Sequence, residues 1–161
     1  MGRALLPGIA RHRRDRIQVF AYTLLNQKDA GGGRRQLRSQ LKSAVTRVVR
    51  LDDMSDAEAA AQINSDGMDL LVNMNGYTSS ARTEIAAYRP CFLQVMLQGF
   101  AGTMGADFIH YTIVDRVQSP PELQGAYAER LAMLPVTAFL GEVCSPGLLF
   151  GVDVPHRSGF F

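Results

Sequence analysis

Hydrophobic and polar positions along the chain alternate between a strand-like and a helix-like period, which predicts a succession of β and α elements. Pro7-Gly8 first predicts the stop of a helical turn. Arg16–Leu25 then reads as a strand, with Val19, Ala21 and Thr23 on one face and Phe20, Tyr22 and Leu24 on the other. Both faces are apolar enough for a covered position. Arg34–Val45 places Leu37, Leu41, Ala44 and Val45 at helical spacing with Arg and Lys between them, and Arg47–Leu51 follows as a short strand. Ser55 with Glu58 three residues later predicts a capping box opening a helix over Asp56–Asn64, which Asp66-Gly67 ends.

The densest pattern is Asp69–Ala106. The apolar run Leu70-Leu71-Val72 stops at the loop Asn73–Thr78. Ser79 or Ser80 is placed to cap a helix over Arg82–Ala87, and Arg89-Pro90 ends it. Phe92–Leu97 is a second apolar run, followed by the glycine-rich loop Gly99–Ala106. Two strands joined by a helix read as a β-loop-α-β unit with parallel strands. Both loops then lie at the carboxyl ends of strands, where open α/β sheets bind ligands. The glycines Gly76, Gly99, Gly102 and Gly105 suit plain turns equally well.

Phe108–Val114 predicts a further strand containing His110, read as a satisfied structural histidine because catalytic groups usually sit beyond a strand's end. Asp115 at that end suits either a hydroxyl contact or a turn cap. Pro120-Pro121 predicts the first turn of a helix over Glu122–Arg130. Leu131–Phe139 reads as extended, with Pro135 favouring an edge strand or a crossover. Beyond Gly141 no period is visible.

Composition changes this picture little. The chain has 161 residues, 47% hydrophobic and 20% charged, as an ordinary globular domain does. No apolar run approaches a membrane span, so a membrane is not expected as a partner. The net charge of +2 is unevenly spread: residues 1–50 carry 12 Lys/Arg against two Asp, and residues 51–161 five Arg against 13 Asp/Glu. The basic residues are scattered with few aromatics among them, so a solvated helical face explains them better than nucleic acid does. The GGGRR stretch matches neither common phosphate-binding spacing. Cys91 and Cys144 form no metal pair, and Cys91 reads as a buried thiol at the start of a strand. No metal site is expected. The N-terminus has no secretory h-region, which favours a cytoplasmic or nuclear location, with an organelle transit signal as the lesser alternative.

The stretch LVNMNGYTSSARTEIAAYRPCFLQVMLQGFAGTMGADFIHYTIVD resembles the catalytic region of the protein O-linked N-acetylglucosamine transferases, and more distantly the SPINDLY-type relatives. The matching positions are Leu71–Thr78, Ala81, Arg82, Glu84, Ala87, Arg89, Pro90, Gln94, Gly99, Gly102, Thr103, Gly105, Ala106, Tyr111 and Asp115. Similarity runs over roughly residues 5–141, through the VFAYTL strand and the LAMLPVTAFLG segment.

The resemblance implies one Rossmann-like lobe of a GT-B glycosyltransferase, an α/β fold with a mostly parallel sheet and flanking helices. It implies transfer of N-acetylglucosamine from UDP-N-acetylglucosamine to Ser or Thr hydroxyls of acceptor proteins, with inversion, no metal and no cofactor beyond the sugar nucleotide. It also implies that Gly76, Tyr77, Thr78, Gly99, Phe100, Gly102, Thr103 and Gly105 line the cleft beside sugar and acceptor. The family's active-site histidine segment and its second, nucleotide-binding lobe have no counterpart in these 161 residues. No catalytic residue is therefore assigned. Residues 1–141 are expected to be the amino-side part of a catalytic domain, inactive alone, and 142–161 an irregular tail. The alternative is a non-catalytic binding remnant whose partner is a full-length transferase, a second lobe or an acceptor protein. The family's Trp-Leu-Gly-Tyr-Pro-Gly-Thr-Ser is Leu97-Gln98-Gly99-Phe100-Ala101-Gly102-Thr103-Met104 here, a loop without the rigid proline. The wording VNMNGYT favours the N-acetylglucosamine branch over the GDP-fucose branch.

Overall fold

The computed structural model describes residues 2–24, 39–78, 81–97, 100, 102–135 and 137–138. The chain divides into two compact units, one built on Gly2–Asp52 and one on Asp53–Phe139.

In the first unit, helix α1 (Gly2–Ile9) precedes strand β1 (Phe20–Thr23), and residues 39–44 are helical before strand β2 (Arg47–Arg50). The predicted stop at Pro7-Gly8 does not occur, because both residues lie inside α1. Pro7 lacks only the bond its N–H would make to the carbonyl four residues back, and the Ala10 N–H still reaches the Leu6 carbonyl at 2.9 Å. β1 is shorter than the apolar pattern predicted. β1 and β2 pair in parallel, with Phe20 opposite Arg47 and Thr23 opposite Arg50. Ala44, Val45, Val49 and Leu51 are the buried residues that hold this unit together. The GGGRR stretch and residues 34–38 of the predicted helix over Arg34–Val45 lie outside the described residues, and residues 39–44 are helical as expected.

The second unit holds a four-stranded parallel sheet in the order β3-β4-β5-β6: Leu70–Asn73, Leu93–Leu97, Tyr111–Asp115 and Arg130–Leu134. Helix α2 (Asp56–Ser65) begins with the predicted capping box: Ser55 accepts the Glu58 N–H and Glu58 accepts the Ser55 N–H. Ala59, Ala60 and Ile63 are its buried face, and it packs against helix α3 (Thr83–Ala87). The N-cap of α3 is Arg82, which makes no side-chain cap bond; Ser79 and Ser80, the expected caps, lie outside the described residues. Arg82 instead ties the helices together, donating to Asp56 Oδ1 and the Met54 carbonyl at 2.7 Å each. Arg89 ends α3 in the left-handed conformation, φ 52°.

β4 is one of the two inner strands, with Gln94, Val95 and Met96 buried on alternating faces. The Gln94 amide donates to the carbonyls of Ala86 at 2.9 Å and Phe108 at 2.7 Å, fastening the end of α3 and the entry to β5 onto the sheet. The predicted helix over Glu122–Arg130 is a 3-10 helix over Pro121–Ala126, and Arg130 already belongs to β6. The Gln124 side chain accounts for this tighter turn: it donates to the Glu129 carbonyl and accepts the Leu131 N–H, pulling the chain straight back into the sheet. β6 borders the described sheet, as Pro135 predicted. No helix among the described residues is long and apolar enough to cross a membrane.

Candidate functional site

The loops that follow β3 and β4 meet each other. After β3, Asn73 turns the chain by accepting the N–H groups of Asn75 and Gly76 on its Oδ1, at 3.0 and 3.1 Å. Gly76 then adopts φ 53°, and a Cβ there would lie 2.3 Å from the Phe100 Cβ and 3.0 Å from the Met96 Cε. Two separate constraints, backbone angle and space, thus require glycine at this position. Thr83 on α3 donates to the Gly76 carbonyl at 3.0 Å and fixes the loop from behind.

Tyr77 links the two rims. Its ring meets Phe100 edge to face, with centroids 5.6 Å apart and planes at 88°, and its hydroxyl donates to the Met104 carbonyl at 2.7 Å. About half of Tyr77 stays exposed. Thr78 is exposed and its hydroxyl turns back to the Asn75 carbonyl. Gly102 lies beside the Phe100 ring, 3.5 Å from Cε1 to a Cβ built on it, and Gly105 adopts φ 60° with open space around it. Met104 drives into the core among Ala86, Met96 and Ile109, with Phe100, Ala106 and Phe108 packed around that cluster. Of the eight sequence-predicted cleft residues, seven are described and converge here; Gly99 lies outside the described residues.

One residue that the sequence did not single out organises the second rim. Glu129 is buried, at 2% exposure, just ahead of β6. Its carboxylate accepts the Met104 N–H at 2.6 Å and the Thr103 hydroxyl at 2.8 Å. The sequence carried no signal for it, because its partners lie 25 and 26 positions back along the chain.

The other polar groups near the strand ends are committed to structure. Asp115 accepts the N–H groups of Val117 and Gln118 on Oδ1 and those of Ala138 and the Thr137 hydroxyl on Oδ2. These bonds, led by those from Gln118 and Ala138, hold its carboxyl below the usual range. Of the two roles the sequence left open, Asp115 takes the turn cap. His110 lies just before β5 rather than inside it, and its Nδ1 accepts the Gln94 N–H at 3.1 Å. Cys91 is buried, donates to the Met68 carbonyl at 2.8 Å, and burial pushes its thiol above the usual range. No cluster of ligands able to hold a metal ion occurs among the described residues.

Chemically, the site is two joined strand-end loops carrying two aromatic rings, with the N–H groups of Asn75, Gly76, Thr78, Met104 and Gly105 bonded internally. The N–H groups of Gly102 and Thr103 have no acceptor among the described residues. Two such amides beside an aromatic edge are suited to a sugar hydroxyl or an anionic oxygen.

Residues 4–145 match the family model described as glycosyl transferase family 41. The chain belongs to this family. It is 41% identical over 138 residues to the UDP-N-acetylglucosamine–peptide N-acetylglucosaminyltransferase of Caenorhabditis elegans, a match covering 85% of this chain and 11% of the relative. It is 34% identical over 131 residues to the probable UDP-N-acetylglucosamine–peptide N-acetylglucosaminyltransferase SEC of Arabidopsis thaliana, covering 81% and 13%. Among solved structures, a mutant O-GlcNAc transferase from Thermobaculum terrenum aligns with a TM-score of 0.77 at 28% identity, over 85% of this chain and 25% of that one. The family 41 chain described here thus spans little more than a tenth of the length of these two curated relatives. Its mixed α/β architecture, with parallel strands and flanking helices, is that of a Rossmann-like GT-B lobe.

Proposed function

We propose that the chain serves protein O-linked N-acetylglucosamine transfer, from UDP-N-acetylglucosamine to Ser or Thr hydroxyls of acceptor proteins with inversion, and that it contributes one wall of the substrate cleft. The observation that carries this reading is the contact of Tyr77 with Phe100 and Met104, which joins the two strand-end loops into one rim. The names of the two curated relatives and the VNMNGYT wording of the first loop support UDP-N-acetylglucosamine as the donor.

Within this reading the described residues position substrate rather than move a proton. Asp115 accepts four internal donors, Glu129 is buried with one internal donor on each oxygen, and the His110 Nδ1 is engaged by the Gln94 backbone. A general base needs hydrogen-bond access to the reacting hydroxyl, which the Asp115 and Glu129 carboxylates lack. Gly76, Tyr77, Thr78, Gly99, Phe100, Gly102, Thr103 and Gly105 are proposed to line the cleft.

The test is an assay of the 161-residue chain with UDP-N-acetylglucosamine and a Ser/Thr acceptor peptide. The expected result is no transfer above background together with measurable binding of the sugar nucleotide. Transfer above background would contradict a purely positioning role.

A further inference from the structure

We infer that Glu129 is a positioning residue for this wall: its buried carboxylate fixes the loop through Thr103 and Met104, leaving the Gly102 and Thr103 N–H groups for ligand and withholding the Thr103 hydroxyl from it. The inference rests on the reading that the loop lines a sugar-nucleotide cleft, and it names the residue that holds that loop in shape.

The hydrogen-bond count around Thr103 is complete. A threonine hydroxyl has one proton to give and two lone pairs to receive. Thr103 gives its proton to Glu129 Oε2 at 2.8 Å and receives the N–H groups of Gly105 at 2.9 Å and Ala128 at 3.1 Å. Nothing remains for a ligand. The other carboxylate oxygen takes the Met104 N–H at 2.6 Å, while the Met104 side chain, 2% exposed, is anchored in the core. The loop is therefore held at two consecutive residues by one side chain.

The charge is costly where it sits. No cation pairs with Glu129 among the described residues, and withdrawing a carboxylate from water is expensive unless hydrogen bonds replace the lost hydration. Charge-assisted bonds of 2.6 and 2.8 Å are the short, strong kind that do so. A neutral glutamine of the same length could not accept from both partners. Its amide would present a donor to one of them, and the Thr103 hydroxyl would lose the acceptor that orients it. A loop containing three glycines among its described and flanking positions has large conformational freedom to lose on binding. Fixing it beforehand lowers the entropic cost of contacting a ligand.

The experiment uses the isotopically labelled 161-residue chain and its variants Glu129→Gln, Thr103→Val and Thr103→Ser. Thermal unfolding confirms that each variant folds. Amide hydrogen exchange of Met104 and Gly105 is then followed by NMR, and UDP-N-acetylglucosamine is titrated with amide shifts as the readout. Glu129→Gln and Thr103→Val are expected to raise exchange at both amides about tenfold and weaken binding about tenfold, whereas Thr103→Ser, which keeps the hydroxyl, stays near wild type. If Glu129→Gln does not fold, the contrast between Thr103→Val and Thr103→Ser decides in the same way. Unchanged exchange and affinity in Thr103→Val and Glu129→Gln, with wild-type binding intact, would overturn the role of Glu129 alone. A wild-type chain that does not bind the sugar nucleotide would overturn both this inference and the cleft reading on which it stands.

Discussion

The Tyr77 hydroxyl donates to the Met104 carbonyl at 2.7 Å, so the loop after β3 and the loop after β4 share a hydrogen bond across 27 positions of sequence. Removing only the hydroxyl, in Tyr77→Phe, leaves the edge-to-face contact with Phe100 in place. The expected loss is about 1 kcal/mol, the net value of one hydrogen bond, read as a lower urea midpoint at unchanged slope. A changed slope would instead show that the compactness of one of the two states had altered.

Gly76 and Gly105 both have positive φ, but only Gly76 is crowded. Gly105→Ala should cost about 1 kcal/mol, the penalty of a left-handed backbone for a residue with a Cβ. Gly76→Ala adds a collision with the Phe100 Cβ and should cost roughly 3 kcal/mol or more, since Phe100 must leave its position against the core. Denaturant unfolding of the two variants side by side measures the difference. Equal costs would mean that Phe100 yields without resistance.

Asp115 links stability to acid. Its carboxyl titrates below its ordinary value of 3.8 in the folded chain, so it binds protons more readily unfolded than folded. The stabilisation it supplies is complete above about pH 4 and is lost as pH falls through the lowered folded value. Asp115→Asn should be less stable than wild type at pH 7, by about 2 kcal/mol, because the amide turns a donor toward the Ala138 N–H or the Val117 and Gln118 pair. That gap should narrow toward pH 2 in urea midpoints collected from pH 7 downward. Glu58 and Asp15 are also held low by their own hydrogen bonds, so part of the acid dependence persists in the variant.

Cys91 should be slow to alkylate. Burial raises its thiol above the ordinary value of 9.0 and its Sγ is engaged by the Met68 carbonyl. Iodoacetamide at pH 8, followed by mass mapping of the Cys91 peptide, should show modification at least about tenfold slower in the native chain than in urea. Similar rates would mean that the start of β4 opens readily.

How much of this was legible in the sequence depends on how local each determinant is. The parallel β-loop-α-β unit was readable because Leu70–Val72 and Phe92–Leu97 are short apolar runs with a helical pattern between them. The Ser55–Glu58 capping box was readable because both partners lie within one turn. Pro7-Gly8 misled because Pro7 forfeits a single backbone bond inside α1, while the Ala10 N–H still reaches the Leu6 carbonyl. The helix expected over Glu122–Arg130 failed because Gln124 trades its local bonds for the backbone of Glu129 and Leu131. The candidate rims were visible as glycine clusters, and the family resemblance gave them a purpose. What joins them was invisible: Tyr77 with Met104, Gly76 with Phe100 and Glu129 with Thr103 are all pairs more than 20 positions apart. Met104, which stands where the family wording has serine, also becomes intelligible only in three dimensions, as a core residue beneath the loop.

The central claim is that the joined loops form one wall of a sugar-nucleotide cleft, and the most direct measurement is an amide-resolved titration of the wild-type chain with UDP-N-acetylglucosamine. Saturable shifts confined to Gly76, Tyr77, Gly102, Thr103 and their immediate neighbours are the expected result. No saturable shift, or shifts gathered instead along the open face of α2 around Glu58 and Gln62, would contradict it.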